Sequence, residues 1–211
     1  MSTKKTYYET KAKALINVLK NHNFDPYYCD CIDDAKKLII NLLGSNKVIS
    51  HGGSMTLMDN DFYECFEKNG NVIINRFDYK TPEEQKELKK KEVTADAYFT
   101  SCNALTMEGE IINIDGLSNR VSAIMYGPDE VYIVVGMNKV VPNREIGLSR
   151  ASNVAAVQNA IRLNTGTPCT KGGRCFNCLD EHTICCNIVI TRYSRIKNRI
   201  KIILVGEELG Y

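Results

Sequence analysis

The amino-acid sequence predicts an α/β fold, in which strands and helices alternate along one chain. Short apolar runs such as Val131–Val135 are typical of buried strands. Between them lie segments whose apolar residues repeat every three or four positions, which is the pattern of amphipathic helices. The length of 211 residues suits a single domain. We therefore expect one domain over 1–211, with N-terminal helices over 1–45 and a cysteine-rich insertion over 165–187.

Composition excludes several classes of protein. Apolar residues make up 44% of the chain and charged residues 25%, which are ordinary globular values. The net charge of +2 gives no reason to expect nucleic acid or a membrane surface as a partner. The first residues lack the apolar centre of a signal peptide, and no apolar run is long enough to cross a bilayer. A cytoplasmic location is the expectation.

Two helices are predicted at the start of the chain. Thr6 and Glu9 have the spacing of a capping box, and an apolar stripe follows, so we expect a helix over about 7–22. A second helix should begin at Asp33 or Asp34 and end at Gly44, because glycine readily adopts the left-handed conformation that closes a helix.

The next segment has the order of a phosphate-binding loop. A strand over Lys47–Ser50 leads through His51 into a Gly-Gly-Ser turn and then a helical pattern. Glycines let the backbone approach an anion while exposed amides point at it, and hydroxyls add donors. The candidate residues are Gly52, Gly53, Ser54 and Thr56. The alternative is a tight strand-to-helix turn without a ligand.

Further strands are predicted over Asn71–Phe77 and Val93–Thr100, with a helix between them that is capped by Thr81. The second strand leads into a polar stretch, Ser101–Arg120, which interrupts the apolar pattern. Its carboxylates Glu108 and Asp115 are the candidate proton-transfer groups. The alternative is that Glu108 and Asp115 only belong to turns. The candidate ligand-binding residues of the stretch are Asn103, Thr106, Gly116, Asn119 and Arg120.

Asn138 and Lys139 follow the strand Val131–Val135. Ligands of open α/β sheets bind at the carboxyl ends of the strands, so a parallel sheet would place both residues beside the glycine turn. Lys139 alone would otherwise be an ordinary surface lysine. A helix from Asn143 to about Leu163 carries Arg150 on its apolar stripe. That guanidinium needs an anionic partner such as Glu108, Asp115 or a ligand, unless it extends to the solvent.

Five of the nine cysteines fall within Cys169–Cys186 and include a CxxC pair. Thiolates at such spacing can reach one metal centre. Cys169, Cys175, Cys178 and Cys185 would bind zinc or an iron–sulfur cluster, with His182 as a further donor. The alternative is a loop of reduced cysteines, or a thiol pair that oxidises in air. Cys102 lies beside the candidate site, and two last strands, Asn187–Arg192 and Arg199–Val205, would complete the sheet.

These motifs together resemble the lactate-utilisation, or LUD, domain family. The resemblance rests on HGGSMTL (51–57), SCNALTMEGEIINIDGLSNRVSA (101–123), GMNKVV (136–141), the cysteine segment and EELGY (207–211). It covers about Tyr8 to Tyr211 and is strongest for stand-alone members from anaerobic bacteria. It implies a three-layer Rossmann-like α/β fold similar to ribose-5-phosphate isomerase, glucosamine-6-phosphate deaminase and CoA transferases.

The resemblance also implies a function. Family members named for lactate act with iron–sulfur partner subunits in oxidising L-lactate to pyruvate. We therefore expect this chain to bind a small anionic carboxylate or phosphorylated metabolite, with iron–sulfur oxidoreductase subunits as partners and a homo-oligomer as one possible assembly. The cysteine segment sets the chain apart from the lactate subunits. Two alternatives are an isomerase or CoA transferase that uses Glu108, and a non-catalytic subunit that responds to metal or redox state.

Overall fold

The computed structural model describes residues 2–211, in which helices alternate with the strands of two sheets. The helices are α1 (Thr3–Asn21), α2 (Ile32–Leu43), α3 (Met55–Met58), α4 (Phe62–Lys68), α5 (Pro82–Thr94), α6 (Asn119–Tyr126), α7 (Arg144–Arg150), α8 (Ala156–Arg162) and α9 (Cys169–Gly172). The strands are β1 (Asp25–Cys29), β2 (Val48–His51), β3 (Val72–Ile73), β4 (Ala97–Thr100), β5 (Ala104–Thr106), β6 (Ile111–Asp115), β7 (Glu130–Gly136), β8 (Val140–Val141), β9 (Asn187–Thr191) and β10 (Ile200–Val205).

The first sheet has six parallel strands in the order β1-β10-β7-β4-β2-β3. Alternate residues of β7 point to opposite faces, as the pleat requires. Val131 and Val135 pack in the cluster that contains α1 and α6, whereas Tyr132 and Val134 pack in the cluster that contains α2 and α4. Helices therefore cover both faces, and the predicted three-layer, Rossmann-like α/β fold is confirmed.

A second sheet of four strands has the order β8-β5-β6-β9. Strands β5 and β6 form an antiparallel hairpin, β9 pairs antiparallel with β6, and β8 pairs parallel with β5. The prediction that both last strands complete one sheet is wrong for β9, which pairs with β6. Only β10 joins the first sheet, between β1 and β7. Strand β1 was not predicted from the sequence, because its first two residues, Asp25 and Pro26, are of types that β-strands disfavour.

Several predicted boundaries need correction. The expected strand Asn71–Phe77 is reduced to Val72–Ile73 and is followed by a 3-10 turn, because β2 offers only Val48 and Ile49 for pairing. Helix α5 runs through Thr94, so β4 begins at Ala97 and not at Val93. The Val93 side chain is 51% exposed, so burial in a sheet does not favour a strand at this position, and the residue stays in α5.

Helix starts also differ from the predictions in places. Helix α1 begins after Ser2, whose side chain accepts from the Lys5 amide, and Thr6 donates to the Ser2 carbonyl rather than capping. Helix α2 begins at Ile32, with both aspartates in its first turn. The end at Gly44, where φ is 73°, and the capping box of Thr81 with Glu84 are confirmed.

The helix predicted from Asn143 is present but contains a π-helical segment. The Asn143 side chain accepts from the Ile146 amide, α7 runs to Arg150, the π segment covers Ala151–Ala155, and α8 completes the helix. Single π turns inside α-helices are frequent at functional sites. None of the helices in residues 2–211 combines the length and the apolar character needed to span a bilayer.

The core of the first sheet depends on stacked aromatic rings, which gives a stability prediction. Phe99 is fully buried, and its ring stacks on that of Tyr132 with centroids 4.5 Å apart. Phe99→Ala should lower the free energy of unfolding by about 3–5 kcal/mol, measured by urea denaturation. Val72, which is 61% exposed, supplies the control: Val72→Ala should change it by less than about 0.5 kcal/mol. Equal losses in the two variants would contradict this account of the core.

Candidate functional site

The chain passes from the first sheet to the second at two neighbouring places. Strand β4 continues through residues 101–103 into β5, and β7 continues through a 3-10 turn, Met137–Lys139, into β8. Both crossings lie at the carboxyl ends of parallel strands, where open α/β sheets bind ligands. The turn after β2, which begins at Gly52, reaches the same place, as predicted from a parallel sheet.

Lys139 lies at the centre of this region and is 3% exposed. Its Nζ donates to Thr56 Oγ1 at 2.9 Å and to Ser101 Oγ at 3.0 Å. Within residues 2–211, no carboxylate lies within ion-pairing distance of this ammonium. Burial lowers the pKa of Lys139 to about 8; the nearby Cys102 acts in the opposite direction, and the positive charges of Arg150 and Arg120 lower it further. A buried ammonium group whose partners are hydroxyls alone recovers little of the hydration free energy that it loses on burial.

Arg150 joins the two crossings through main-chain carbonyls. Its Nε donates to the Asn138 carbonyl at 3.2 Å, and its Nη1 donates to the Asn103 carbonyl. Of the partners expected for this guanidinium, neither Glu108 nor Asp115 forms an ion pair with it among the described residues, and a ligand stays a prediction. These carbonyl oxygens accept from two of its N–H groups but leave its charge in place, and burial lowers its pKa.

Arg120 lies on the other side of the β4 crossing, on α6. It donates to the Asn113 side chain, to the Ile114 carbonyl at 2.6 Å and to Asn103 Oδ1 at 3.3 Å. Its Nε lies 3.4 Å from Asp115 Oδ2, and this is its carboxylate partner. Asn103 Oδ1 also accepts from the Ile114 amide, so this side chain ties β6 to the crossing.

Asp115 holds the turn that orients Arg120. Its carboxylate accepts from the Ser118 amide at 2.9 Å and from the Val121 amide at 3.3 Å, which are donors of the first turn of α6. Gly116 packs closely against the backbone of Ile184. A Cβ on Gly116 would stand only 3.4 Å from that backbone. Asn119 is exposed at the start of α6. This geometry makes Asp115 a positioning residue.

Glu108 and Thr106 are not brought to the Lys139 region. Glu108 is exposed in the β5–β6 hairpin turn, where Gly109 has φ 81°, and the charge it influences is that of Arg144. Thr106 Oγ1 accepts from the Glu110 amide across the same turn. The turn interpretation of Met107–Glu110 is therefore correct, and the placement of Glu108 gives no support to a catalytic role.

The glycine turn after β2 differs from a phosphate-binding loop in one respect. Helix α3 after it has only four residues, so aligned peptide dipoles contribute little there. Gly52 is buried, and a Cβ on it would stand 2.9 Å from the Tyr98 hydroxyl and 3.4 Å from Arg120 Cδ. Gly53 is exposed and Ser54 half-buried, and the Ser54 side chain makes no capping bond to α3. Thr56 is the loop residue that contacts Lys139.

Two buried polar atoms beside Arg120 have no hydrogen-bond partner in residues 2–211. They are the Tyr98 hydroxyl and Asn113 Nδ2, and burial raises the pKa of Tyr98. Unsatisfied buried donors are rare in folded proteins because each costs about 1–3 kcal/mol. Together with Ser101 and Cys102, they are site residues that sequence reasoning missed or mentioned only in passing. Tyr98 and Asn113 lie within strand patterns, so nothing in the sequence separates them from core residues.

Residues 207–211 cover this region. Asn138 accepts from the Leu209 amide at 3.1 Å and donates to the Gly210 carbonyl at 3.3 Å, while Thr56 Oγ1 donates to the Leu209 carbonyl at 3.4 Å. Gly210 has φ 55°, and a Cβ on it would stand 2.7 Å from Thr56 Oγ1 and 3.4 Å from Lys139 Nζ. Gly210 thus lies against both Thr56 and Lys139, on the side of the site that residues 207–211 cover.

The five clustered cysteines form a separate group on the second sheet. All nine cysteines of the chain are free. Cys185 packs against the second-sheet core, and its pKa is raised to about 11, chiefly by burial and further by Cys175, Cys169, Cys178 and Cys186. No group of three or more His, Cys, Asp or Glu side chains among residues 2–211 has the spacing of a formed metal site.

The covering segment gives a labelling prediction. Gly210→Ala should displace residues 207–211, because the new Cβ would collide with Thr56 Oγ1. Lys139 should then react faster with an amine-acetylating reagent, as measured by mass spectrometry of its peptide. Gly166→Ala is the matched control, since Gly166 also has positive φ (75°) but has open space around it. Equal protection of Lys139 in both variants would contradict the covering role.

Comparisons with known proteins agree with the predicted family. The sequence profile of the LUD domain matches residues 12–205. No curated protein matches the chain significantly. Among solved structures, a DUF162 family protein from Deinococcus radiodurans is 15% identical with a TM-score of 0.51, over 98% of this chain and 99% of that chain. eIF2B beta from Chaetomium thermophilum is 10% identical with a TM-score of 0.39, over 54% of this chain and 44% of that one. The profile match spans most of the sequence, and the chain belongs to the LUD domain family.

Proposed function

We propose that this LUD domain binds a small anionic metabolite, a carboxylate or a phosphate group, beside Lys139. The observation that carries the proposal is the buried ammonium of Lys139, which has hydroxyl partners but no carboxylate partner among residues 2–211. A buried charge is normally paired, and an anion from solution would supply the missing partner.

The surrounding charges favour an anion over a cation. Arg120 and Arg150 lie close enough to influence the protonation of Lys139, and Asp115 balances only Arg120. The local excess is therefore positive. The hydroxyls of Ser101 and Thr56 can add neutral hydrogen bonds to ligand oxygens, and so can the Tyr98 hydroxyl, which has no hydrogen-bond partner among residues 2–211.

The first ligand to test is a 2-hydroxy carboxylate, because of the resemblance to lactate-utilisation proteins. Oxidation of L-lactate to pyruvate releases two electrons and two protons, so iron–sulfur partner subunits would have to accept the electrons. The contribution we assign to this chain is binding: Lys139, Arg120 and Arg150 would hold the carboxylate. An isomerase or CoA transferase that uses Glu108 receives no support from the exposed position of that residue.

A ligand panel tests the binding site. L-Lactate, pyruvate, glycolate and inorganic phosphate are added to the wild-type protein, and unfolding is followed by thermal shift. A ligand at about 100 times its Kd should stabilise the protein by about 2.7 kcal/mol. Lys139→Met should lose this stabilisation, whereas Lys197→Met, at an exposed lysine, should keep it. A panel that stabilises neither the wild type nor the control, or a response that survives in Lys139→Met, would refute the site.

The pKa of Lys139 also predicts how binding depends on pH. The pKa of about 8 in the free protein means that the ammonium loses its proton as the pH rises through this value. Affinity for a carboxylate should therefore be highest below pH 8 and fall about tenfold for each pH unit above it. The fall should stop at the higher pKa that Lys139 has in the complex. Isothermal titration calorimetry at about pH 7 and about pH 9 measures this change. Affinity that is constant or increases between these two values would contradict the role of Lys139.

A further inference from the structure

Two hydrogen-bond donors are buried beside Arg120 without a partner among residues 2–211. They are the Tyr98 hydroxyl and Asn113 Nδ2, on residues that are 2% and 1% exposed. Tyr98 lies on β4 of the first sheet and Asn113 on β6 of the second, so the strand ladders hold both donors in place. Folded proteins rarely leave such groups unsatisfied. The pair therefore marks a place where an acceptor from outside the chain belongs.

Both groups act as donors. A guanidinium has no acceptor, so the amide atom of Asn113 that faces Arg120 Nη1 must be Oδ1. Nδ2 is then the atom on the other side of the amide. Burial raises the pKa of Tyr98, so its hydroxyl keeps its proton at neutral pH.

The turn over residues 52–56 connects these donors to the Lys139 region. At its start, a Cβ on Gly52 would stand 2.9 Å from the Tyr98 hydroxyl oxygen, and only glycine allows this approach. At its end, Thr56 Oγ1 accepts from Lys139 Nζ at 2.9 Å. A short ligand that lies along this turn would meet the Lys139 ammonium with one end and the two donors with the other.

The two ends of such a ligand face different charges. The Arg120 guanidinium beside the two donors is already balanced, because its Nε lies 3.4 Å from Asp115 Oδ2. Lys139 has hydroxyl partners but no carboxylate partner among the described residues. The Lys139 end therefore favours a carboxylate, and the Tyr98 end favours a neutral oxygen that accepts hydrogen bonds.

Resting on the proposed anion site, we infer that its ligand is a 2-oxo carboxylate whose carbonyl oxygen accepts from Tyr98 and from Asn113 Nδ2. A carbonyl oxygen has two lone pairs and no hydrogen, so it satisfies both donors. A hydroxyl oxygen could also accept both bonds, but its own hydrogen would need a further acceptor that these donors do not supply. A hydroxyl that donated to Tyr98 instead would leave the tyrosine proton unsatisfied. The pair thus selects an oxo acid over the matching hydroxy acid.

Three carboxylates of equal chain length test the inference: pyruvate, L-lactate and propionate, titrated into the whole protein by calorimetry at neutral pH. The wild type should bind pyruvate about fivefold or more tightly than either of the others, because an unsatisfied hydrogen-bonding group weakens binding. Tyr98→Phe should weaken pyruvate binding by a similar factor and leave propionate binding unchanged. The matched control is Tyr28→Phe on β1, which β10 and β7 separate from β4, and it should keep the wild-type order.

A second variant changes the other donor. Asn113→Asp replaces Nδ2 with an oxygen that accepts, so the ratio of pyruvate affinity to L-lactate affinity should fall. A ratio that stays at the wild-type value in both Tyr98→Phe and Asn113→Asp would overturn the inference, as would an equal fall in Tyr28→Phe.

The outcomes separate this inference from the anion site on which it rests. If the wild type binds none of the three carboxylates, the carboxylate site itself fails, and the inference fails with it. Equal affinity for all three would leave the anion site standing and overturn the selection of an oxo acid. Without ligand, Tyr98→Phe should unfold at the wild-type temperature or above it, because the variant lacks an unsatisfied buried hydroxyl. A lower temperature with unchanged pyruvate affinity would mean that the donors hold only a structural water, and would also overturn the inference.

Discussion

The structure depends on two neighbouring strands that leave one sheet together and enter a second one together. Strands β4 and β7 pair in the first sheet, and their continuations β5 and β8 pair in the second. Thr100 pairs with Ile133 and Leu105 pairs with Val140, so the crossing after β7 is two residues longer. The 3-10 turn Met137–Lys139 takes up the difference. This turn directs Lys139 into the space between the sheets.

The crossings explain why positive charge gathers at one place. Backbone that leaves a ladder has carbonyls without strand partners, and buried carbonyls must find donors. Arg150 supplies donors to the Asn103 and Asn138 carbonyls, which lie in the two crossings. Guanidinium groups satisfy this demand well but bring charge that carbonyls do not neutralise. Joining the two sheets in this way leaves positive charge in the interior that the carbonyls do not neutralise. A bound anion would neutralise it.

The sequence predicted the helices and the α/β class well, because the signals for them are local. Gly44 and the Thr81–Glu84 pair specify a helix end and a helix start by backbone chemistry alone. The proximity of Lys139 to the Gly52–Thr56 turn also followed, since parallel strands place their ends at one edge. The position of β9 did not follow, because the apolar run Ile188–Ile190 does not say which sheet the strand joins.

Side-chain partners in the site were predicted less well, because they too depend on residues that are distant in the sequence. Arg150 was expected to need a carboxylate or a ligand as its partner, unless it extended to the solvent, but in the structure it donates to the carbonyls of Asn103 and Asn138. Glu108 has the residue type of a catalytic acid or base, yet the hairpin turn exposes it. Ser101 gives no signal of its own, although its hydroxyl is one of the two partners of Lys139. These contacts arise from distant parts of the chain, which no local pattern encodes.

The Lys139 ammonium is buried without a counter-charge from residues 2–211, and the proposal is that a bound anion supplies one. Carbon-13 NMR of the lysine Cε resonances across pH measures the pKa of Lys139 directly, with Lys139→Met identifying the signal. The account predicts a pKa of about 8 in the free protein and a rise toward the ordinary value of 10.5 when a bound carboxylate is present. A pKa near 10.5 in the free protein, or one that a saturating carboxylate leaves unchanged, would contradict it.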